Sequence, residues 1–158
     1  MAIRGHLCST PEATEAAARA LAPLLRPGDV IGLSGELGAG KTRFVQGLAR
    51  GLDLPDSVRV TSPTFTIVNQ HRGGRLPLHH VDLYRIERER ELDEIGLDDL
   101  FRGDGVVAVE WCDRFPVLPA DHLEVRLTVT GDQTRALDAE GRGARARQLA
   151  AEWAARLG

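Results

Sequence analysis

Lysine is almost absent from this chain: of 20 basic residues among 158, only Lys41 is a lysine and the rest are arginines. Aromatic residues are scarce at 4%, too few for a platform that stacks nucleic-acid bases. Positive charge is not in excess either, because the formal net charge is −3 at pH 7. Unaided nucleic-acid binding relies on such an excess, so this mildly acidic domain is a poor candidate for it. No apolar run approaches the roughly 18 residues a membrane span requires. The most apolar stretch, Ala16 to Leu25, is broken by Arg19 and Pro23. The residues from Met1 to His6 lack the apolar segment of a signal peptide. The two cysteines, Cys8 and Cys112, lie far apart and form no CxxC. A disulfide framework or zinc knuckle is thereby disfavoured, and a reducing cytoplasm is the expected compartment. What is present is ordinary for a globular chain: 42% hydrophobic and 27% charged residues, at a length that suits a single domain over residues 1–158.

Punctuation along the chain predicts alternating helices and strands. Ser9 or Thr10 can cap a helix with Pro11 in its first turn, Glu12 completing a capping box with Ser9. That alanine-rich helix runs to about Leu24, before Arg26-Pro27-Gly28. Asp29 to Ser34 and Val106 to Glu110 are short apolar runs suited to buried strands. Between them, Lys41 to Leu52 places Phe44, Val45, Leu48 and Leu52 on one side of a helix. Thr64 to His71 and Leu76 to Tyr84 read as a hairpin turning at Arg72-Gly73-Gly74-Arg75. Short helical pieces are expected at Arg88 to Leu92 and Leu97 to Phe101, strands at His122 to Thr130 and Thr134 to Ala139, and a closing helix at Ala144 to Leu157. Arg142, Arg145, Arg147 and Arg156 are read as a solvated face of that last helix. The alternation argues for an α/β fold, a mixed β-sheet flanked by helices.

Residues 35–42 read Gly35-Glu36-Leu37-Gly38-Ala39-Gly40-Lys41-Thr42, which matches G-x-x-x-x-G-K-[ST]. The chemistry of a phosphate loop needs these types at this spacing. Glycines let backbone N–H groups curl around phosphate oxygens without a Cβ in the way. The following helix points its positive end at the same anion. Lys41 reaches the β- and γ-phosphates as a compact charge, and Thr42 offers a hydroxyl to Mg²⁺. A flat guanidinium does not replace that point charge, which explains a solitary lysine at this position in a chain otherwise biased toward arginine. A buried strand before the motif and an amphipathic helix after it are the context that separates a phosphate loop from a chance glycine turn. The guanine-reading motif N-K-x-D needs a second lysine, so ATP is the expected nucleotide.

Mg²⁺ also calls for an acid at the end of a neighbouring strand. Two acids qualify, Glu110 after Val106-Val107-Ala108-Val109 and Asp82 after His79-His80-Val81. Each could equally be a solvated strand-end charge. With a phosphate loop present, Glu110 is the first choice as metal partner, since its strand is the more apolar. Asp82 then orients the attacking water or holds Mg²⁺ through water. Thr61-Ser62-Pro63-Thr64-Phe65 lies where γ-phosphate-sensing segments sit, and is otherwise a polar turn. His79 and His80 are adjacent, so on a strand they face opposite sides and do not make a metal pair. Trp111 is either a core plug or an aromatic at the rim of the nucleotide pocket.

Taken together, GELGAGKT, TSPTF, HHVDLYR and VEW, in this order and in a chain of about this length, resemble the bacterial ATPase family of tRNA threonylcarbamoyladenosine biosynthesis, TsaE or YjeE. The resemblance covers nearly the whole chain and weakens after about Pro119. It implies a small cytoplasmic P-loop ATPase that binds ATP and Mg²⁺ and has low activity alone. It implies two partner proteins, which transfer threonylcarbamoyl to adenosine 37 of tRNAs reading ANN codons, and so an indirect link to tRNA. Nucleotide hydrolysis in such a system resets the modifying complex. Carried over by motif, Lys41 is the phosphate lysine, Thr42 and Glu110 the Mg²⁺ ligands, Asp82 a catalytic acid, and Thr61 to Thr64 a switch-like catalytic segment. Trp111 lies beside the nucleotide, and the stretch near Thr10 approaches the base. A small P-loop kinase for a nucleoside or metabolite is the main alternative, and a nucleotide binder without turnover is another. The segment Glu87 to Gly105 is more acidic than basic, which suits a protein-contact or solvated surface better than a kinase's arginine lid.

Overall fold

The computed structural model describes residues 3–57, 60–61 and 67–158. Of the expected switch-like segment, Ser62, Pro63 and Thr64 lie outside the described residues and only Thr61 is inside them. The first element, β1 (Ile3–Cys8), was not expected from sequence. It is an edge strand with a bulge between Ile3 and His6, and Gly5 sits at φ +62°, so its apolar alternation is interrupted. Helix α1 (Pro11–Leu21) starts where the Thr10 hydroxyl accepts from the Ala13 N–H at 3.1 Å. The cap is therefore Thr10, with Pro11 in the first turn. Thr14, Ala17, Ala18 and Leu21 form its buried stripe at helical spacing. A single 3-10 turn (Ala22–Leu24) ends the segment.

Strand β2 (Val30–Ser34) leads through the glycine-rich loop into α2 (Lys41–Gly51). Phe44, Val45 and Leu48 of α2 are fully buried, as their spacing predicts. The backbones of α1 and α2 nearly touch: a Cβ on Gly47 would lie 2.4 Å from the Glu15 carbonyl oxygen. The alanines of α1 serve this close approach. The expected hairpin is β3 (Val68–His71) and β4 (Leu78–Asp82), with Pro77 just before the second strand. A 3-10 segment (Glu89–Glu94) and the short helix α3 (Leu97–Phe101) follow, then β5 (Val106–Glu110). The chain closes with β6 (His122–Val129), β7 (Arg135–Arg142) and α4 (Ala144–Leu157).

The seven strands form one mixed sheet in the order β1-β7-β6-β2-β5-β4-β3. The inner strands β6, β2, β5 and β4 are mutually parallel, while β3, β7 and β1 are added antiparallel. One face carries the larger core, with Leu21, Ile31, Leu33, Phe44, Leu48, Leu78, Leu123 and Trp153. The other face carries Val30, Val81, Leu83, Val107 and Val109 under Leu92 and Leu97. Trp153 of α4 is fully buried, donates its indole N–H to the Ala17 carbonyl at 2.9 Å and meets the Phe44 ring edge-on at 5.9 Å.

Two arginines depart from the expected solvated face. Arg142 belongs to β7, not to the last helix. Arg145 opens α4 but forks onto Asp29, Nε to Oδ1 at 3.1 Å and Nη2 to Oδ2 at 2.8 Å, and also reaches the Leu24 carbonyl at 2.8 Å. A bidentate pair with a buried carboxylate ties α4 to the start of β2.

Candidate functional site

The parallel arrangement of β2, β5 and β4 brings their C-terminal ends to one edge of the sheet, where loops of open α/β folds bind ligands. The loop Gly35–Gly40 leaves β2 at this edge. Gly35 has φ +145°, and a Cβ there would stand 2.4 Å from the Leu127 carbonyl oxygen, so only glycine fits against β6. Gly40 has φ +100° and precedes α2 with no side-chain cap. Glycine at this position brings no side chain of its own to the first turn of α2, and a helix N-terminus is where a phosphate oxygen is received.

Lys41 does not point to solvent, contrary to the expectation for a ligand-facing side chain. It is 4% exposed. Its Nζ donates to the Gly35 carbonyl at 2.6 Å and the Glu36 carbonyl at 2.9 Å, and stands 3.9 Å above the centre of the Trp111 ring. Burial pulls its pKa below the usual lysine value, while Glu110, Asp82, Asp113 and Glu36 act in the opposite sense. Trp111 has φ +60°, a conformation that bulky residues rarely adopt, and its ring packs on Tyr84 at 4.9 Å. It is partly buried against the smaller core and at the same time lies under the lysine.

The acids expected from sequence are brought together. Asp82 and Glu110 are direct partners across the β4–β5 ladder. The Thr42 hydroxyl lies 3.2 Å from Glu110 Oε1 and 3.1 Å from Oε2. Asp82 accepts from the Tyr84 N–H at 2.9 Å. Burial raises its pKa above the ordinary carboxyl value; the Tyr84 bond opposes that rise and the nearby Glu110 charge adds to it. Glu110 is 2% exposed. A hydroxyl and a carboxylate side by side, with a second carboxylate opposite, form an all-oxygen set that suits Mg²⁺, which takes one or two protein carboxylates and completes its shell with phosphates and water. Among the described residues no group of three or more His, Cys, Asp or Glu could hold a metal by itself.

Two participants were not anticipated. Arg135 of β7 grips the loop from outside, donating Nε to the Ala39 carbonyl at 3.1 Å and Nη2 to the Gly38 carbonyl at 3.0 Å. Its Nη1 bonds the Gly131 and Thr134 carbonyls at 3.0 and 2.8 Å, so the guanidinium staples the β6–β7 turn to the phosphate loop. His80 hydrogen-bonds Glu110. His79 turns the other way, toward Asp104 at 4.0 Å, as alternation requires. Of the remaining expected residues, Thr10 is engaged in capping α1. Leu37 is 73% exposed at the loop tip. Gln46 of α2 donates to the Val60 carbonyl at 2.9 Å, fixing the chain just before Thr61.

A strand, a phosphate-shaped glycine loop and a helix on the edge of a mixed sheet, with a hydroxyl and carboxylate beside the loop, define a P-loop NTPase-like α/β fold. Residues 8–137 match the family model described as threonylcarbamoyl adenosine biosynthesis protein TsaE, and the chain belongs to that family. It is 43% identical over 143 residues to the tRNA threonylcarbamoyladenosine biosynthesis protein TsaE of Bacillus subtilis (strain 168), covering 90% of this chain and 88% of that one. It is 42% identical over 135 residues to the protein of the same name from Streptomyces coelicolor, covering 80% and 89%. The crystal structure of Bacillus subtilis YdiB superposes with a TM-score of 0.81 at 34% identity, covering 100% of this chain and 97% of that one.

Proposed function

We propose that this chain is the Mg²⁺-dependent ATPase that serves tRNA threonylcarbamoyladenosine formation, binding ATP on the loop Gly35–Thr42 and hydrolysing it slowly when alone. The observation that carries the reading is the juxtaposition of Lys41, Thr42 and Glu110 at one strand edge, with Asp82 opposite. Lys41 has two loop carbonyls as stand-in partners and exchanges them for the β- and γ-phosphate oxygens of ATP. Thr42 and Glu110 would hold Mg²⁺, which when bound spreads the charge that builds on those oxygens. Asp82 orients the water that attacks the γ-phosphorus. The new P–O bond forms as the bond to the bridging oxygen breaks, the electron pair leaves with ADP, and the water proton passes to Asp82 or solvent. The scarcity of lysine supports ATP over GTP.

Neither Arg43, paired with Glu15 at 2.9 Å, nor Arg135, which grips loop carbonyls, is placed as a finger over the loop. Fingers contribute about 10³–10⁵-fold to P-loop hydrolysis. Slow turnover alone, raised by the two proteins that transfer threonylcarbamoyl to adenosine 37 of ANN-reading tRNAs, follows from that gap, with hydrolysis resetting their complex. The cytoplasm, where tRNAs are modified, is the compartment of this work. Among the described residues no helix is long and apolar enough to cross a membrane. A kinase is disfavoured because residues 89–101 pack on the sheet through Leu92 and Leu97 and do not form a free lid. Phosphate release measured alone, with the two partner proteins, and with tRNA added tests the proposal. A rate that rises only with the partners is expected; a fast rate in isolation, unchanged by them, overturns it.

A further inference from the structure

His80 is fully buried on β4, two positions before Asp82 and on the same face. The proposed hydrolysis does not use it. Its Nε2 meets Glu110 Oε2. A carboxylate only accepts, so Nε2 carries the proton. The other ring nitrogen, Nδ1, is buried and has no hydrogen-bond partner among the described residues. Burying an imidazole for one hydrogen bond is costly, and a leucine of similar size would fill the space beside Leu78 without that cost. The imidazole therefore has its use at Glu110.

We propose that His80 is a positioning residue that fixes the Glu110 carboxylate for metal binding. The Thr42 hydroxyl is nearly equidistant from the two Glu110 oxygens, at 3.2 and 3.1 Å, and so does not select a rotation of the carboxylate. His80 does, by engaging Oε2 alone and so distinguishing the two carboxylate oxygens. The β4–β5 register makes this possible: with Asp82 opposite Glu110, His80 stands opposite Ala108, whose small side chain leaves room for the ring to reach along the strand. One strand thus supplies Asp82 to the site and His80 to the back of its neighbour's acid. This inference rests on the assignment of Mg²⁺ to Thr42 and Glu110.

The test separates metal from nucleotide. ATP affinity without divalent ions is measured by calorimetry, and Mn²⁺ affinity of the ATP complex by the electron paramagnetic resonance of free Mn²⁺. The variants are His80→Leu, His80→Asn, whose amide stops short of Glu110, His80→Gln, whose amide nitrogen reaches where Nε2 does, Glu110→Gln, and His80→Leu combined with Glu110→Gln. Loss of an outer partner of a metal ligand is expected to weaken Mn²⁺ binding about 10- to 100-fold in the Leu and Asn variants, with metal-free ATP affinity within about twofold of the parent. His80→Gln should recover to within about threefold of the parent, and the double variant should be no weaker than Glu110→Gln alone. Unchanged Mn²⁺ affinity in the Leu and Asn variants overturns the proposal while leaving the metal assignment intact. Failure of His80→Gln to recover, with metal-free ATP affinity falling in parallel, reduces His80 to a packing role and also overturns it. Unchanged Mn²⁺ affinity in Glu110→Gln overturns the metal assignment itself.

Discussion

The two halves of the sheet solve different problems. In the parallel half every residue of β5 is buried, because helices and the 3-10 segment cover both faces. Apart from the buried pair His79 and His80 within β4, the polar groups of β4 and β5 stand at their C-terminal ends, where Asp82 and Glu110 face each other. In the antiparallel wing, β6 and β7 alternate between buried and exposed residues, with Glu124, Arg126, Asp138 and Glu140 on the uncovered face. The wing's other face receives α4 and Trp153. The difference teaches that the candidate site collects at the C-terminal ends of the covered strands, while the wing anchors the terminal helix. Arg135 joins the two by gripping the loop from β7.

The largest effect expected is on stability and comes from the wing. Trp153→Ala should cost about 3–5 kcal/mol in denaturant unfolding, through lost burial and a cavity against Phe44. The variant that remains folded at low temperature should bind ATP as the parent does; a matching loss of affinity would break the division of labour. The reverse is expected at the site. Lys41→Ala should weaken MgATP binding by about 100-fold in calorimetry, with little loss of melting temperature, since charge-assisted bonds to phosphate contribute roughly 1.5–3 kcal/mol. Lys41→Arg should also be impaired, because the charge is kept in the wrong shape.

The acids should split by role in steady-state kinetics. Asp82→Asn should lower turnover by about 10²-fold with affinity nearly kept, as expected for a group acting mainly in the transition state. Glu110→Gln should instead raise the Mg²⁺ concentration needed for binding. The opposite pattern would exchange the two assignments. Arg135→Ala should weaken nucleotide binding by about tenfold while costing little stability, since it frees two loop carbonyls that water can reach. An unchanged affinity would detach the wing from the site.

The smallest effect is chemical silence. Cys112 is buried against Gly32, and burial, with Asp113 and Glu124 nearby, pushes its thiol up to about 12. Burial also raises Cys8, in the wing. Both thiols should resist a disulfide reagent at pH 8 and react only on unfolding. The sign for stability follows. Above about 9 the unfolded thiol of Cys112 ionises while the folded one holds its proton to about 12, so stability falls as pH rises through that window. Equal reactivity in native and unfolded protein would show that the site edge is less closed than the geometry implies.

Much of the fold was legible because local signals agree with tertiary ones. Val106 to Glu110, a continuous apolar run, and the closing helix Ala144 to Leu157 are found at the expected bounds. The glycine loop carries its own signature, and the two acids follow apolar strands. The residues that escaped notice depend on long-range register. His80 reads as half of a histidine pair until β4 is laid beside β5. Arg145 reads as surface charge and Arg135 carries no signal, because their partners lie 116 and 96 residues away along the chain. The strand β1 is too interrupted by Gly5 to register as alternation, and only pairing with β7 defines it.

The placement of Trp111 makes the protein its own optical gauge. The chain has two tryptophans, one sealed in the core against Phe44 and one lying under the Lys41 ammonium. An indole with a cation 3.9 Å above its ring has a perturbed excited state, and the perturbation would end if the cation left for a phosphate. Trp153→Phe, which keeps an aromatic ring in the core, would leave a single emitter. Its fluorescence would then report, without any added label, whether the loop lysine is parked on its own backbone or engaged with a nucleotide.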